Sequence, residues 1–190
     1  MEENNNKVLF ITGNEFKVKS ANLLLENTGI EVIGKNIECP EIQHEDVVEI
    51  AKFSAKFAAN KIGMPIIKND CGFYIEELKG FPGPFMAYVD NWIGNKGFLK
   101  LMEGITNRKA KFIECTAYCE PGKEPIAFVG ETNGIIAEKL EGEYGWGSDF
   151  FFIPEGKEKT MACFIDEERG KLWTDKHWKE FAEYMRNKNK

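Results

Sequence analysis

This chain of 190 residues is short of several features that would fix a function outright. It has two histidines, His44 and His177, and five cysteines with no CxxC pair among them. A structural zinc centre draws on closely spaced Cys and His ligands, so none is expected, although Cys115 and Cys119 lie near each other in the strand-like "FIECTAYCE". The odd cysteine count and the lack of a signal-peptide pattern point to reduced thiols in a cytoplasmic protein. No apolar run approaches a membrane span. Positive charge is not in excess either. The net charge is −6, which argues against a nucleic-acid binder, since such proteins neutralise phosphates with Lys and Arg. A Walker A loop is also missing: "ITGNEFK" has one glycine and no Gly-Lys-Ser/Thr ending.

What is present describes a soluble globular protein. An apolar share of 43% and a charged share of 29% suit one domain over residues 1–190, with a substantial core. "KVLFIT", Lys7 to Thr12, predicts a buried strand, and Lys17 to Glu26 an amphipathic helix after it. "IEVIGKN" predicts a second strand, and Val47 to Ile62 the clearest helix, closed by Gly63. "PIIKND" reads as a short strand, "GFPGPF" as a Pro/Gly loop, and "NKGFLKLMEG" as a helix ended by Gly104. "KAKFIECTAYCE" and "IAFVGETNGIIAE" alternate like antiparallel strands around "PGKEP". Thr174 to Asn187 predicts a last helix with Trp178, Phe181 and Met185 on one side. The pattern implies an α/β fold with a mixed, partly antiparallel sheet.

Three polar clusters follow apolar runs, where α/β proteins tend to build sites. In the first, Gly13 allows close backbone approach, the opening N–H groups of the helix favour an anion, and Lys17 adds a charge. An ordinary cap by Thr12 or Asn14 with a solvated lysine explains the same residues. In the second, Glu41 and Asp70 are hard oxygen ligands of the type Mg²⁺ takes together with substrate phosphates, and Asp70 could also deprotonate water. Two unrelated surface acids are the alternative. The third, "YGWGSDFFFIPEGKEKT", offers Trp146 for stacking on a planar base and Asp149 to accept a hydrogen bond from it. A glycine-rich turn around a core tryptophan fits as well.

In order and wording these clusters resemble the noncanonical purine nucleoside triphosphate pyrophosphatases, the inosine/xanthosine triphosphate family also called HAM1-like or dITP/XTP pyrophosphatases. The likeness runs from "FITGNEFKVKSAN" through "PEIQ", "DCGFYIEELKGFPGPF" and "GWGSDFFFIPEGKEKT" to "EERGKLW". It implies an elongated mixed α/β structure with two lobes around a central nucleotide cleft, commonly a homodimer. It implies Mg²⁺-dependent hydrolysis of ITP, dITP or XTP to the monophosphate and pyrophosphate. By the same resemblance Thr12, Gly13, Asn14 and Lys17 contact the triphosphate, Glu41 binds magnesium, and Asp70 is the catalytic aspartate that also meets the metal. Cys71 lies near the substrate, Trp146, Gly147, Ser148 and Asp149 lie beside the base, and Arg169 falls in a substrate-contacting segment.

The chain departs from that pattern at several points. Asn69 stands where most members carry an acid. A substrate-contacting lysine aligns with Ser54, between Lys52 and Lys56, and Cys163 replaces an acid. The Ser-His-Arg motif that holds the purine becomes Trp173, Thr174 and Asp175, with Lys176 and His177 two residues on. Phosphate and metal chemistry are expected to be retained. Two other readings remain: action on a different base, with Trp146 and Trp173 shaping the pocket, or nucleotide binding without turnover.

Overall fold

The structure is a computed structural model and describes residues 7–26 and 28–188. Strand β1 (Lys7–Ile11) leads into helix α1 (Glu15–Leu24), then β2 (Glu31–Lys35), α2 (Val47–Ile62) and β3 (Ile66–Ile75). A two-residue strand β4 (Pro82–Gly83), helix α3 (Met86–Leu101) and the long strands β5 (Lys109–Cys119) and β6 (Ile126–Ile136) follow. Strand β7 (Phe152–Pro154), short helix α4 (Asp166–Gly170) and helix α5 (Lys176–Lys188) complete the chain. The strands form one seven-stranded sheet in the order β2-β1-β3-β5-β6-β7, with β4 on β3. β1 runs parallel to β2 and β3, while β6–β7 and β3–β4 are antiparallel. The mixed α/β expectation is met.

Local chemistry sets the element ends. Helix α1 begins two residues earlier than the apolar spacing predicts, because the Asn14 side chain accepts from the Lys17 N–H at 3.3 Å and caps the first turn. Helix α2 matches its expected bounds. The Asp46 carboxylate accepts from the Val48 N–H, and Gly63 closes the helix in the left-handed region at φ 75°. β3 runs beyond the expected Asp70 to Ile75, since Phe73 and Ile75 continue the buried alternation. Helix α3 also starts well before the expected Asn95. Its first half is hidden from pattern reading because Tyr88 and Trp92 are exposed, and Gly94 at φ 59° breaks it from the second half.

Contacts divide the chain into two compact units. One comprises Met1–Asp70, Glu114–Gly130 and Asp175–Lys190, the other Cys71–Ile113 and Glu131–Thr174. In the first, α1 and α5 bury Ala21, Leu25, Trp178, Phe181 and Met185 with Val8, Phe10, Val32 and Ile67 of the strands. In the second, a phenylalanine cluster forms the centre. Phe73 and Phe112 lie 4.5 Å apart by ring centroid, Phe112 and Phe152 5.0 Å, and Phe98 and Phe151 5.2 Å. Each such ring removes a large apolar area from water, worth roughly 2–3 kcal/mol.

Candidate functional site

The turn after β1 is built by its own side chains. Thr12 Oγ1 accepts from the Asn14 N–H at 3.1 Å, and Asn14 caps α1. A Cβ on Gly13 would come within 3.3 Å of the Asn36 side chain, so this backbone passes close to the loop after β2. Lys17, one helical turn on, is not free in solvent. Its ammonium donates to Asn69 Oδ1 at 3.0 Å. Asn69 in turn donates through Nδ2 to Thr116 Oγ1 and the Cys115 carbonyl, both at 3.3 Å.

Strand alternation sorts the neighbours. Asn69 and Thr116 share one face of the sheet, and Glu114, two residues before Thr116, points the same way. Asp70 takes the opposite face. There its charge, with those of Asp46 and Glu49, adds to the burial that pushes the Cys115 thiol up to about 12, while Lys52 pulls it back. Lys68, two residues before Asp70, shares the Asp70 face, and its ammonium lies 3.5 Å from Glu41 Oε1. Glu41 and Asp70 are thereby brought to one side of β3. The loop carrying Glu41 is anchored by buried Ser54, which donates to the Pro40 carbonyl at 3.3 Å. Lys52 and Lys56 are engaged in ion pairs with Glu49 and Glu124. Of these three α2 residues, Ser54 therefore has a structural task and the two lysines are tied at the surface.

The donor chemistry fits Mg²⁺. Among the described residues no cluster of three or more Asp, Glu, His or Cys is arranged to hold a metal. Mg²⁺ does not require one, because it binds through one or two carboxylates plus substrate phosphates and keeps its remaining waters.

In the second unit the glycine-rich segment is fixed by Asp149, which is 5% exposed. Its Oδ2 accepts from the Trp146 N–H at 3.1 Å and lies 3.4 Å from the Arg169 guanidinium. Burial raises the Asp149 carboxyl, and the Trp146 N–H and Arg169 offset part of that rise. Gly145 is required twice over. Its φ is 80°, and a Cβ there would fall 2.2 Å from Asp149 Oδ2. The lock leaves Trp146 77% exposed, which excludes the core-tryptophan alternative. Ser148 is buried beside it, Gly147 opens the turn Gly147–Phe150, and Cys71 is half-buried against the phenylalanine cluster. Trp173 packs on Phe112 at 4.8 Å, half-buried against the phenylalanine cluster, and with Thr132 and Thr174 also lines a small groove of about 210 Å³. Thr174 donates its N–H to Thr132 Oγ1, and Asp175 pairs with Lys179 at 2.7 Å ahead of α5. A groove of about 850 Å³ lies elsewhere, lined by Tyr74, Lys109, Lys111, Ile135 and Lys157 among others. None of the residues selected from the sequence lines it.

The sequence over residues 8–174 matches the model of the Ham1 family. The chain belongs to the Ham1 family. This Ham1 protein is 47% identical to a dITP/XTP pyrophosphatase of Methanopyrus kandleri, over 95% of its own length and 97% of the relative's. It is 38% identical to a protein of the same description from Thermococcus kodakarensis, with 95% and 97% covered. Among solved structures, the Ham1 protein of Staphylococcus aureus superposes with a TM-score of 0.84 at 22% identity, covering 96% of this chain and 99% of that one. A HAM1 protein from Coxiella burnetii gives 0.80 at 22%, covering 94% and 98%. At those identities the likeness shows the fold.

Sequence reasoning passed over Glu114 of this Ham1 protein, and it named His177 without seeing that it is buried. Glu114 Oε2 is sealed from solvent without a hydrogen-bond partner among the described residues, as are both ring nitrogens of His177. Burial pushes the Glu114 carboxyl up to about 7, with Lys17 pulling it back. Burial also brings the His177 imidazole down to about 4, Asp175 opposing and Lys17 reinforcing the shift. The only available signal was Glu114 standing in the apolar alternation of β5.

Proposed function

We propose that this protein hydrolyses noncanonical purine nucleoside triphosphates of the ITP, dITP and XTP class to the monophosphate and pyrophosphate. The observation that carries the reading is the ion pair tying Glu41 to Lys68, two residues before Asp70 on β3, with Lys17 held on Asn69 from the first turn of α1. The relatives described as dITP/XTP pyrophosphatases support the substrate class.

Glu41 and Asp70 would hold Mg²⁺, which when bound neutralises charge on the phosphates. Asp70 draws the proton from the attacking water, aimed between the α- and β-phosphates. The Thr12–Asn14 turn and the opening N–H groups of α1 receive phosphate oxygens. Lys17 leaves Asn69 to steady the departing pyrophosphate. Trp146 stacks on the base, and Asp149, Arg169, Gly147 and Ser148 shape the recess beside it. Asp149 reads the base through the guanidinium it already holds, since its Oδ2 is committed to Trp146 and Arg169. Cys71 borders the substrate from β3. The working form is a homodimer in the cytoplasm.

Pyrophosphate release with Mg²⁺ over ITP, XTP, dITP and the four common nucleotides tests the reading. Preferential turnover of the deaminated purines is expected. Turnover confined to another base would move the specificity elsewhere, and binding without turnover would make this a nucleotide-binding protein.

A further inference from the structure

Among the described residues Lys17 has one acceptor, Asn69 Oδ1 at 3.0 Å, although an ammonium carries three donors. On the same face of the sheet Glu114 presents a carboxyl whose Oε2 is buried and unpartnered among the described residues. The two are not ion-paired, yet among the described residues Lys17 is the charged group whose field bears on Glu114. The groups that surround the pair are accounted for. Asn69 and Thr116 are neutral and bonded to each other, Asp175 is paired with Lys179, and His177 is buried with both nitrogens unpartnered. A sealed carboxyl in a native structure calls for a role, because an unmet buried acceptor is costly.

We propose that Glu114 is a positioning residue for Lys17, a counter-charge that competes with substrate phosphate for the ammonium where the neighbouring Asn69 offers only a neutral amide. The inference rests on the reading of Lys17 as a phosphate ligand. When ionised, Glu114 draws Lys17 back toward the sheet. When protonated, it releases Lys17, and the ammonium is free to meet phosphate. Burial places this change near neutrality, so phosphate affinity falls as pH rises through it.

The test is calorimetric titration with inorganic tripolyphosphate, without metal, at pH 6 and pH 8. The wild type is expected to lose about fivefold more affinity over this range than Glu114→Gln, which is isosteric and cannot ionise. Glu114→Asp, which keeps the acid, should retain a pH-dependent loss. In a Lys17→Met background Glu114→Gln should change nothing. The same pH dependence in wild type and Glu114→Gln overturns the proposal. So does an equal effect of Glu114→Gln with and without Lys17, or loss of the profile in Glu114→Asp and Glu114→Gln alike, which marks a structural residue. Absence of tripolyphosphate binding by the wild type overturns it as well. Because no turnover is measured, a Glu114-dependent profile in a protein that releases no pyrophosphate would leave this inference standing and remove the enzymatic one.

Discussion

The Lys17 ammonium donates to the Asn69 side-chain oxygen at 3.0 Å, and Asn69 passes its own protons to β5. Lys17 is therefore docked on the sheet, which excludes the solvated-lysine alternative. Lys17→Met should raise KM for the triphosphate by about tenfold or more and leave thermal stability nearly unchanged, since the bond it loses is only part-buried. Asn69→Ala should raise KM less, because the cation remains. Steady-state kinetics with a melting curve for each variant checks both; equal effects would mean the two act as one structural unit.

Asp70 and Asn69 are adjacent in sequence but face opposite ways on β3. Asp70→Asn should lower kcat by about a thousandfold or more with little change in nucleotide binding, because the proton abstraction and metal charge proposed for Asp70 would both be lost. Glu41→Gln should mainly raise the Mg²⁺ concentration needed for half-maximal rate. Near-normal turnover in Asp70→Asn would require another base.

Trp146 projects from a turn that Asp149 and Arg169 hold shut. Trp146→Ala should weaken nucleotide binding by about 1–3 kcal/mol, the range for a base stacked on an aromatic ring. Its melting temperature should stay close to wild type, since a side chain this exposed contributes little to the fold. Asp149→Ala should do the reverse first, destabilising by roughly 1–3 kcal/mol as Arg169 and the Trp146 N–H lose a buried acceptor. Tryptophan quenching by inosine triphosphate and thermal melts separate the two.

Glu114 and His177 bend the stability–pH curve in opposite directions. Between its unfolded value of 4.5 and about 7, folded Glu114 keeps a proton that the unfolded chain releases, so stability falls as pH rises through this window. Between about 4 and 6.5, folded His177 refuses a proton that the unfolded chain takes, so stability rises with pH. Where the windows overlap they nearly cancel, each being worth up to about 3 kcal/mol. Glu114→Gln should gain stability over wild type mainly above pH 7, and His177→Phe mainly near pH 4. Melts from pH 4 to 8 decide, and parallel curves for all three proteins would contradict the assignment.

Much of the fold was legible because it is local. Helix α2 announces itself through Asp46, an apolar stripe and Gly63, all within one segment. The first half of α3 was not legible, since Tyr88 and Trp92 leave it without an inward-facing stripe. The extension of β3 past Asp70 was missed because Asn69, Asp70 and Cys71 look like a strand end, and only pairing with neighbouring strands carries them onward.

The sequence by itself determined most of the order of strands and helices, the capped turn at Asn14, and the acids, lysine and tryptophan proposed to carry the chemistry. Periodicity and capping act over a few residues, and both are written in the chain. Tertiary structure alone decided what those residues meet. It placed Asn69 under Lys17, Lys68 beside Glu41, Arg169 against Asp149, and Glu114 within the field of Lys17. Most of these pairs are separated by tens of residues. Hydrogen bonding and burial across strands bring them together, and with them the charge states on which the site depends.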